Sequence, residues 1–122
     1  LENKNLLLKG TGLADRTFTY VNDIVEITEK LINDKNNNPV IISSDEKYSL
    51  KDIVAKITKL MNFQGDIIWD GKEVDNIYTK EYDTSIKKYS GEYNYTSINN
   101  GLKKTIQSYY NKKGYDNVFR SI

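Results

Sequence analysis

The sequence predicts a small α/β unit in which short strands alternate with three main helices. Apolar runs at Leu6-Leu7-Leu8, at Val40-Ile41-Ile42 and within Asp66-Ile67-Ile68-Trp69 are each bounded by turn-forming residues, as short strands are. Elsewhere apolar residues recur at three- and four-residue spacing, which gives a helix one covered face. At 122 residues the chain fits a single domain with a modest core, and no internal linker is long enough to separate two.

Leu6-Leu7-Leu8 reads as a buried strand running into Lys9-Gly10-Thr11-Gly12. The two glycines make a turn; they could also cradle an anion, although no dinucleotide fingerprint is completed. Residues 16–21 are extended, and a two-residue period puts Arg16, Phe18 and Tyr20 on one face. The first helix begins at Asn22-Asp23. Asp23 followed by Glu26 has capping-box spacing, and its charge meets the positive end of the helix. Ile24, Ile27 and Leu31 form its apolar stripe, which Val25 and Ile32 widen toward a second face, so contacts on two sides are expected. The helix stops in the polar run 33–39, where Pro39 pushes Asn38 into extended backbone.

Ser49 starts the second helix, with Asp52 completing a reciprocal box and Tyr48 placed to staple onto Ile53. Leu50, Ile53, Val54, Ile57, Leu60 and Met61 define its apolar face. A cap contributes about 1 kcal/mol, whereas burying one Leu or Ile is worth roughly 1.5 to 3 kcal/mol, so the stripe holds this helix more than the cap does. A turn at 62–65 leads to the strand 66–69 ending at Trp69, which by itself reads as a core anchor closing the sheet edge. Residues 70–80 have no period and read as a surface loop, and Asp83 caps a short helix over 84–88. Ser97 opens the last long helix, whose apolar positions are Ile98, Leu102, Ile106 and Tyr109. Gly101 inside it costs about 1 kcal/mol against alanine, which implies a close contact. Beyond the glycine stop at Gly114, Tyr115, Val118, Phe119 and Ile122 offer a docking tail.

Eighteen basic against seventeen acidic residues leave a net charge of +1, so no global field recruits nucleic acid or a membrane surface. Lys103-Lys104 and Lys112-Lys113 read as the wet face and end of the last helix. The chain has neither cysteine nor histidine, which removes thiolate chemistry and the usual proton shuttle. The remaining acids and bases are not paired by any spacing, so no catalytic residue is assigned. Asp70, Glu73 and Asp75 share a loop but lack the oxygen pattern of a calcium or magnesium site, and no metal is expected. The absence of an eighteen-residue apolar run and of a signal-like start fits a cytoplasmic protein, the expected location, or a fragment whose targeting segment was cut away.

Gly10-Thr11-Gly12 followed by Arg16-x-Phe18-x-Tyr20-Val21-x-Asp23 resembles the segment entering the substrate-binding lobe of the extended short-chain dehydrogenase/reductase family. That family holds NAD-dependent sugar-nucleotide epimerases, dehydratases, decarboxylases and GDP-fucose synthases, and the likeness is to GDP-fucose synthase-like or UDP-glucuronate decarboxylase-like members. It continues through 38–43, 49–61, 83–85 and 97–110. The resemblance implies that residues 1–122 are a carboxy-terminal substrate-binding lobe, lacking the Rossmann lobe and the Tyr-x-x-x-Lys pair found upstream in the family. Such a lobe is catalytically silent alone and binds no cofactor itself, NAD or NADP belonging to the parent enzyme.

By the same resemblance, Arg16 matches an arginine that contacts the diphosphate of a nucleoside-diphosphate sugar, while Phe18 and Tyr20 pack. Thr79 stands where a second phosphate arginine is expected, with Lys80 beside it as a more flexible substitute. Trp69 lies on a strand whose loop reaches over the base or sugar. The alternative for Arg16 is a surface ion pair with Asp15 or Asp23. The partners implied are the sugar nucleotide and either the missing Rossmann lobe or a second copy joined through apolar helix faces. The rival reading of the chain is a non-enzymatic structural or protein-interaction module.

Overall fold

A computed structural model describes residues 4–33, 38–72, 87–89 and 93–112. In chain order its elements are β1 (Leu6–Leu8), β2 (Asp15–Thr17), α1 (Val21–Ile32), β3 (Val40–Ile42), β4 (Lys47–Ser49), α2 (Leu50–Leu60), β5 (Ile67–Trp69), β6 (Lys87–Tyr89) and α3 (Ile98–Lys112). The architecture is the predicted small α/β one, with short strands and three main helices. Its described strands join as separate pairs and form no closed Rossmann-type sheet: β1 with β5 and β3 with β6 in parallel, β2 with β4 antiparallel. Parallel neighbours need a long crossover, and the chain between β1 and β5 supplies one containing α1 and α2.

The strand β1 departs from its predicted burial. Leu7 is 75% exposed, and Ile68, its register partner on β5, is also exposed. A directly opposed pair shares one face of a ladder, so this two-stranded ribbon leaves an apolar face uncovered. Residues 87 and 88, expected in a short helix over 84–88 capped by Asp83, instead belong to β6, because parallel pairing with β3 outweighs the local cap signal. Asp83 itself, with Thr79, Lys80 and the tail 113–122, lies outside the described residues.

Among the described residues, the buried apolar side chains come from all three helices: Ile27 of α1, at 0% exposure, Ile53 of α2, and Ile106 and Tyr110 of α3. Tyr110 takes the inward place expected of Tyr109, which is exposed and meets Tyr110 edge to face with ring centroids 5.9 Å apart. The close contact foreshadowed by Gly101 is with Tyr20: a Cβ on Gly101 would lie 3.4 Å from the Tyr20 Cβ.

The two better-defined helix ends follow from their sequences. Ser49 Oγ accepts from Asp52 N (3.1 Å) while Asp52 Oδ2 accepts from Ser49 N (3.3 Å), the reciprocal box. At the other end of α2, Asn62 takes φ 49°, Asn62 N donates to Lys59 O and Phe63 N to Thr58 O, a Schellman closure. Ser97 stands before α3, its Oγ accepting from Asn100 N at 3.4 Å. The start of α1 differs from expectation. Tyr20 is the N-cap and makes no side-chain cap bond, and Asp23 sits in the first turn rather than at the cap.

Along α1, Val21, Ile24, Val25 and Ile32 are exposed, Ile32 at 77%, whereas Ile27 is covered. Their spacing sets them on one side of a 3.6-residue helix. Of the two apolar faces predicted, only one is covered by the described residues.

Candidate functional site

The extended segment 16–20 is held from both sides. On one, β2 pairs with β4 in the register Asp15↔Ser49, Arg16↔Tyr48 and Thr17↔Lys47. On the other, the buried serines that follow β3 reach it: Ser43 Oγ donates to Thr17 Oγ1 (2.9 Å) and Ser44 N to Thr19 Oγ1 (3.3 Å). A threonine at every second position thus gives the strand a polar seam, which period-two pairing directs to one side. Arg16 lies between these anchors, half-buried, with Nη1 donating to the Asp15 carbonyl at 2.6 Å.

The Gly10–Gly12 turn is fastened to the end of β5. Asp70 Oδ1 accepts from Gly10 N (2.8 Å) and from Lys72 N (3.0 Å), and Gly71 N donates to Gly10 O (3.1 Å). Gly12 has φ +71°, and a Cβ there would come within 2.8 Å of the Trp69 ring and 2.6 Å of Lys51 Cγ. Trp69 therefore lies, half-buried, with the far edge of its indole against the turn. The structure brings Trp69 to the turn that leads into the Arg16 strand.

The backbone of this region offers little to an anion. The first N–H groups of a helix are natural anion ligands, but in α2 they are spent: Leu50 N donates to Ala14 O (3.1 Å), Lys51 N to Gly12 O (2.9 Å) and Asp52 N to Ser49 Oγ. The Gly10 N–H is likewise taken by Asp70. The glycine pair acts here as a turn whose first amide is already committed.

Asp23, read from sequence as a cap, joins distant parts of the chain. At 4% exposure, its Oδ2 accepts from Thr96 N and its Oδ1 from Thr96 Oγ1, both at 2.8 Å. Tyr93 Oη adds a longer bond to Asp23 (3.4 Å) and a short one to Glu26 (2.7 Å), and Lys30 Nζ lies 5.2 Å from the Tyr93 ring centre. A carboxylate that deep is stable only when its lone pairs are satisfied, and Thr96 supplies two donors.

Two tyrosines are held as phenols. The bond to the Glu26 carboxylate, followed by desolvation and the Asp23 charge, raises the Tyr93 pKa well above the ordinary phenol value. The bond to Glu46 raises that of Tyr48, whose Oη donates at 2.7 Å. A raised pKa disfavours the phenolate, so neither suits a general base at neutral pH.

Sequence reasoning missed β4, the Ser43 and Ser44 anchors and the Asp70 clasp. The pair Ser43-Ser44 directly after an apolar strand was a readable polar signal, but its partner Thr17 is 26 residues away. Asp70 and Gly10 are separated by 60 residues, and no local pattern joins them.

No protein-family model matches the chain. Among curated proteins it is 28% identical over 109 residues to a GDP-L-fucose synthase of Dictyostelium discoideum, a match covering 86% of this chain and 34% of that protein. It is 24% identical over 109 residues to a GDP-L-colitose synthase of Yersinia pseudotuberculosis, covering 88% and 35%. With a UDP-N-acetyl-alpha-D-glucosaminuronate decarboxylase of Bacillus cytotoxicus the identity is 30% over 115 residues, covering 88% and 36%. Among solved structures, a GDP-6-OMe-4-keto-L-xylo-heptose reductase from C. jejuni matches with a TM-score of 0.63 at 15% identity, over 92% of this chain and 35% of that one. That likeness shows a shared fold. The chain spans about a third of the length of the curated relatives it matches. It is homologous, at low identity and over that part of their length, to extended short-chain dehydrogenase/reductase enzymes that modify nucleotide sugars.

Proposed function

We propose that this chain is the nucleotide-sugar-binding part of an NAD(P)-dependent sugar-nucleotide epimerase, dehydratase, decarboxylase or reductase, catalytically silent by itself. One observation carries the reading: three curated enzymes named for GDP- or UDP-sugar chemistry each align with 86–88% of this chain. In this reading Arg16 grips the diphosphate. Its guanidinium can make paired charge-assisted bonds to phosphate oxygens, and its strand is anchored on both edges, which limits the ordering cost of binding. Trp69 contacts base or sugar, and Lys80 with Thr79 takes the second phosphate position.

Among the described residues, the glycine turn does not fit a nicotinamide dinucleotide. A dinucleotide loop needs its glycines to open a helix with free N–H groups, whereas Gly10–Gly12 leads into β2 and the Gly10 N–H is bound by Asp70. Cofactor binding and hydride chemistry are therefore assigned to a separate lobe of the parent enzyme. The uncovered apolar stripe of α1 supports a docking face for such a lobe, or for a second copy. No helix among the described residues is long and apolar enough to cross a membrane, in keeping with work on a cytoplasmic sugar nucleotide.

The test is calorimetric titration of the chain with a GDP-sugar and a UDP-sugar. Saturable binding that Arg16→Ala weakens about tenfold or more is expected, about 1.4 kcal/mol for each factor of ten. Absence of binding up to millimolar ligand would leave the rival reading, a non-enzymatic interaction module docking through α1.

A further inference from the structure

The second residue of α2 is a lysine, an unfavourable place for a cation because the helix dipole is positive there. Lys51 gains no compensating ion pair: among the described residues its ammonium has neither a hydrogen-bond acceptor nor a carboxylate partner. Its stem is nevertheless placed. Lys51 Cγ lies 2.6 Å from where a Gly12 Cβ would be, on the glycine that also faces the Trp69 ring. Apolar stems of lysine pack in this way while the charged head stays in water.

The neighbouring cations differ. Lys56 donates to Asn99 Oδ1 at 3.3 Å and lies 5.6 Å from the centre of the Tyr48 ring, so its charge is engaged in joining α2 to α3. Among the described residues, Lys51 combines a packed stem, an unengaged head and a position beside Trp69.

Its relation to Arg16 follows from the backbone. Just beyond the β2–β4 ladder, where α2 begins, Leu50 N donates to Ala14 O and Lys51 N to Gly12 O. Lys51 is thus tied to Gly12, which precedes Arg16 by four residues, at most about 14 Å of extended chain. Two long side chains can converge across that gap on one polyanionic group.

We infer that Lys51 is a further phosphate-binding cation of this lobe, acting with Arg16 on the diphosphate of a nucleoside-diphosphate sugar. The inference rests on the sugar-nucleotide reading above. It makes a prediction that separates ligand binding from packing. Lys51→Met keeps the stem on Gly12 and removes the charge, while Lys51→Arg keeps both.

The experiment titrates the whole chain and both variants with a GDP-sugar and a UDP-sugar by calorimetry, and measures their thermal midpoints. Lys51→Met is expected to weaken binding about tenfold with a midpoint equal to or above that of the unsubstituted chain, because a cation has left the positive end of a helix. Lys51→Arg is expected to bind within about twofold. Unchanged affinity in Lys51→Met, with the unsubstituted chain binding and Arg16→Ala not, overturns the role of Lys51 and leaves the Arg16 site standing. Weaker binding accompanied by a lowered midpoint in both variants overturns it in favour of simple packing. If the unsubstituted chain binds neither sugar nucleotide, this inference falls together with the reading beneath it.

Discussion

Helices α2 and α1 are both amphipathic and both follow an extended segment, yet their starts are specified by opposite means. α2 is closed from within: Ser49 and Asp52 exchange hydrogen bonds three residues apart, and Asn62 and Phe63 tie off its last turn. α1 has no side-chain cap, and the acid of its first turn bonds Thr96, 73 residues away. The difference teaches that the same acidic signal near a helix start can serve either local closure or tertiary assembly. The deciding factor is burial. Asp52 is exposed and bonds its neighbours, whereas Asp23 is buried and must find donors from elsewhere in the fold.

The comparison is broken most severely at Asp23. Asp23→Ala leaves the Thr96 N–H and hydroxyl without their acceptor and should cost about 3 kcal/mol, read as a lower urea midpoint with the slope unchanged. Ser49→Ala removes a local cap only and should cost about 1 kcal/mol by the same measurement. If the two losses are equal, the contrast between tertiary and local closure is wrong.

The smallest expected effect is a pH dependence. Tyr93 has a folded-state pKa above its unfolded value of about 10, so the bond to Glu26 stabilises fully below pH 10 and is lost as pH rises through the folded pKa. Tyr48 titrates in the same direction. Stability should therefore decline above about pH 10, with a shallower decline in Tyr93→Phe, seen in thermal scans at stepped pH. The site is exposed, so solvent screening keeps this slope small.

What could be read from the residues divides along the same line. Ser49 with Asp52 and the apolar triplets at 6–8, 40–42 and 67–69 are signals contained within a few residues, and each corresponds to an observed element. The wide stripe of α1 points to contacts on two sides, whereas the described residues cover only one. The role of Asp23 was not legible, because its capping-box spacing with Glu26 is the same whether the carboxylate turns to its own helix or to Thr96. The strand at 87–89 was hidden for a related reason: it exists through its pairing with β3, over 40 residues earlier. Burial of Leu7 was misjudged since an apolar triplet does not say how many layers will cover it. At the candidate site, Arg16 and Trp69 stand out by residue type, whereas the Asp70 clasp and the Ser43–Thr17 bond depend on folds of the chain that no short pattern encodes.

The commitment of the α2 amides to Gly12, Ala14 and Ser49 bears on how this lobe would discriminate among charged ligands. Recognition delegated to long, solvated side chains is sensitive to ionic strength, since surface charges are screened over about 10 Å in 0.1 M salt. A cradle of main-chain amides would hold its shape at no rotamer cost; under the proposed function, selectivity would instead rest on the reach of the Arg16 and Lys51 side chains.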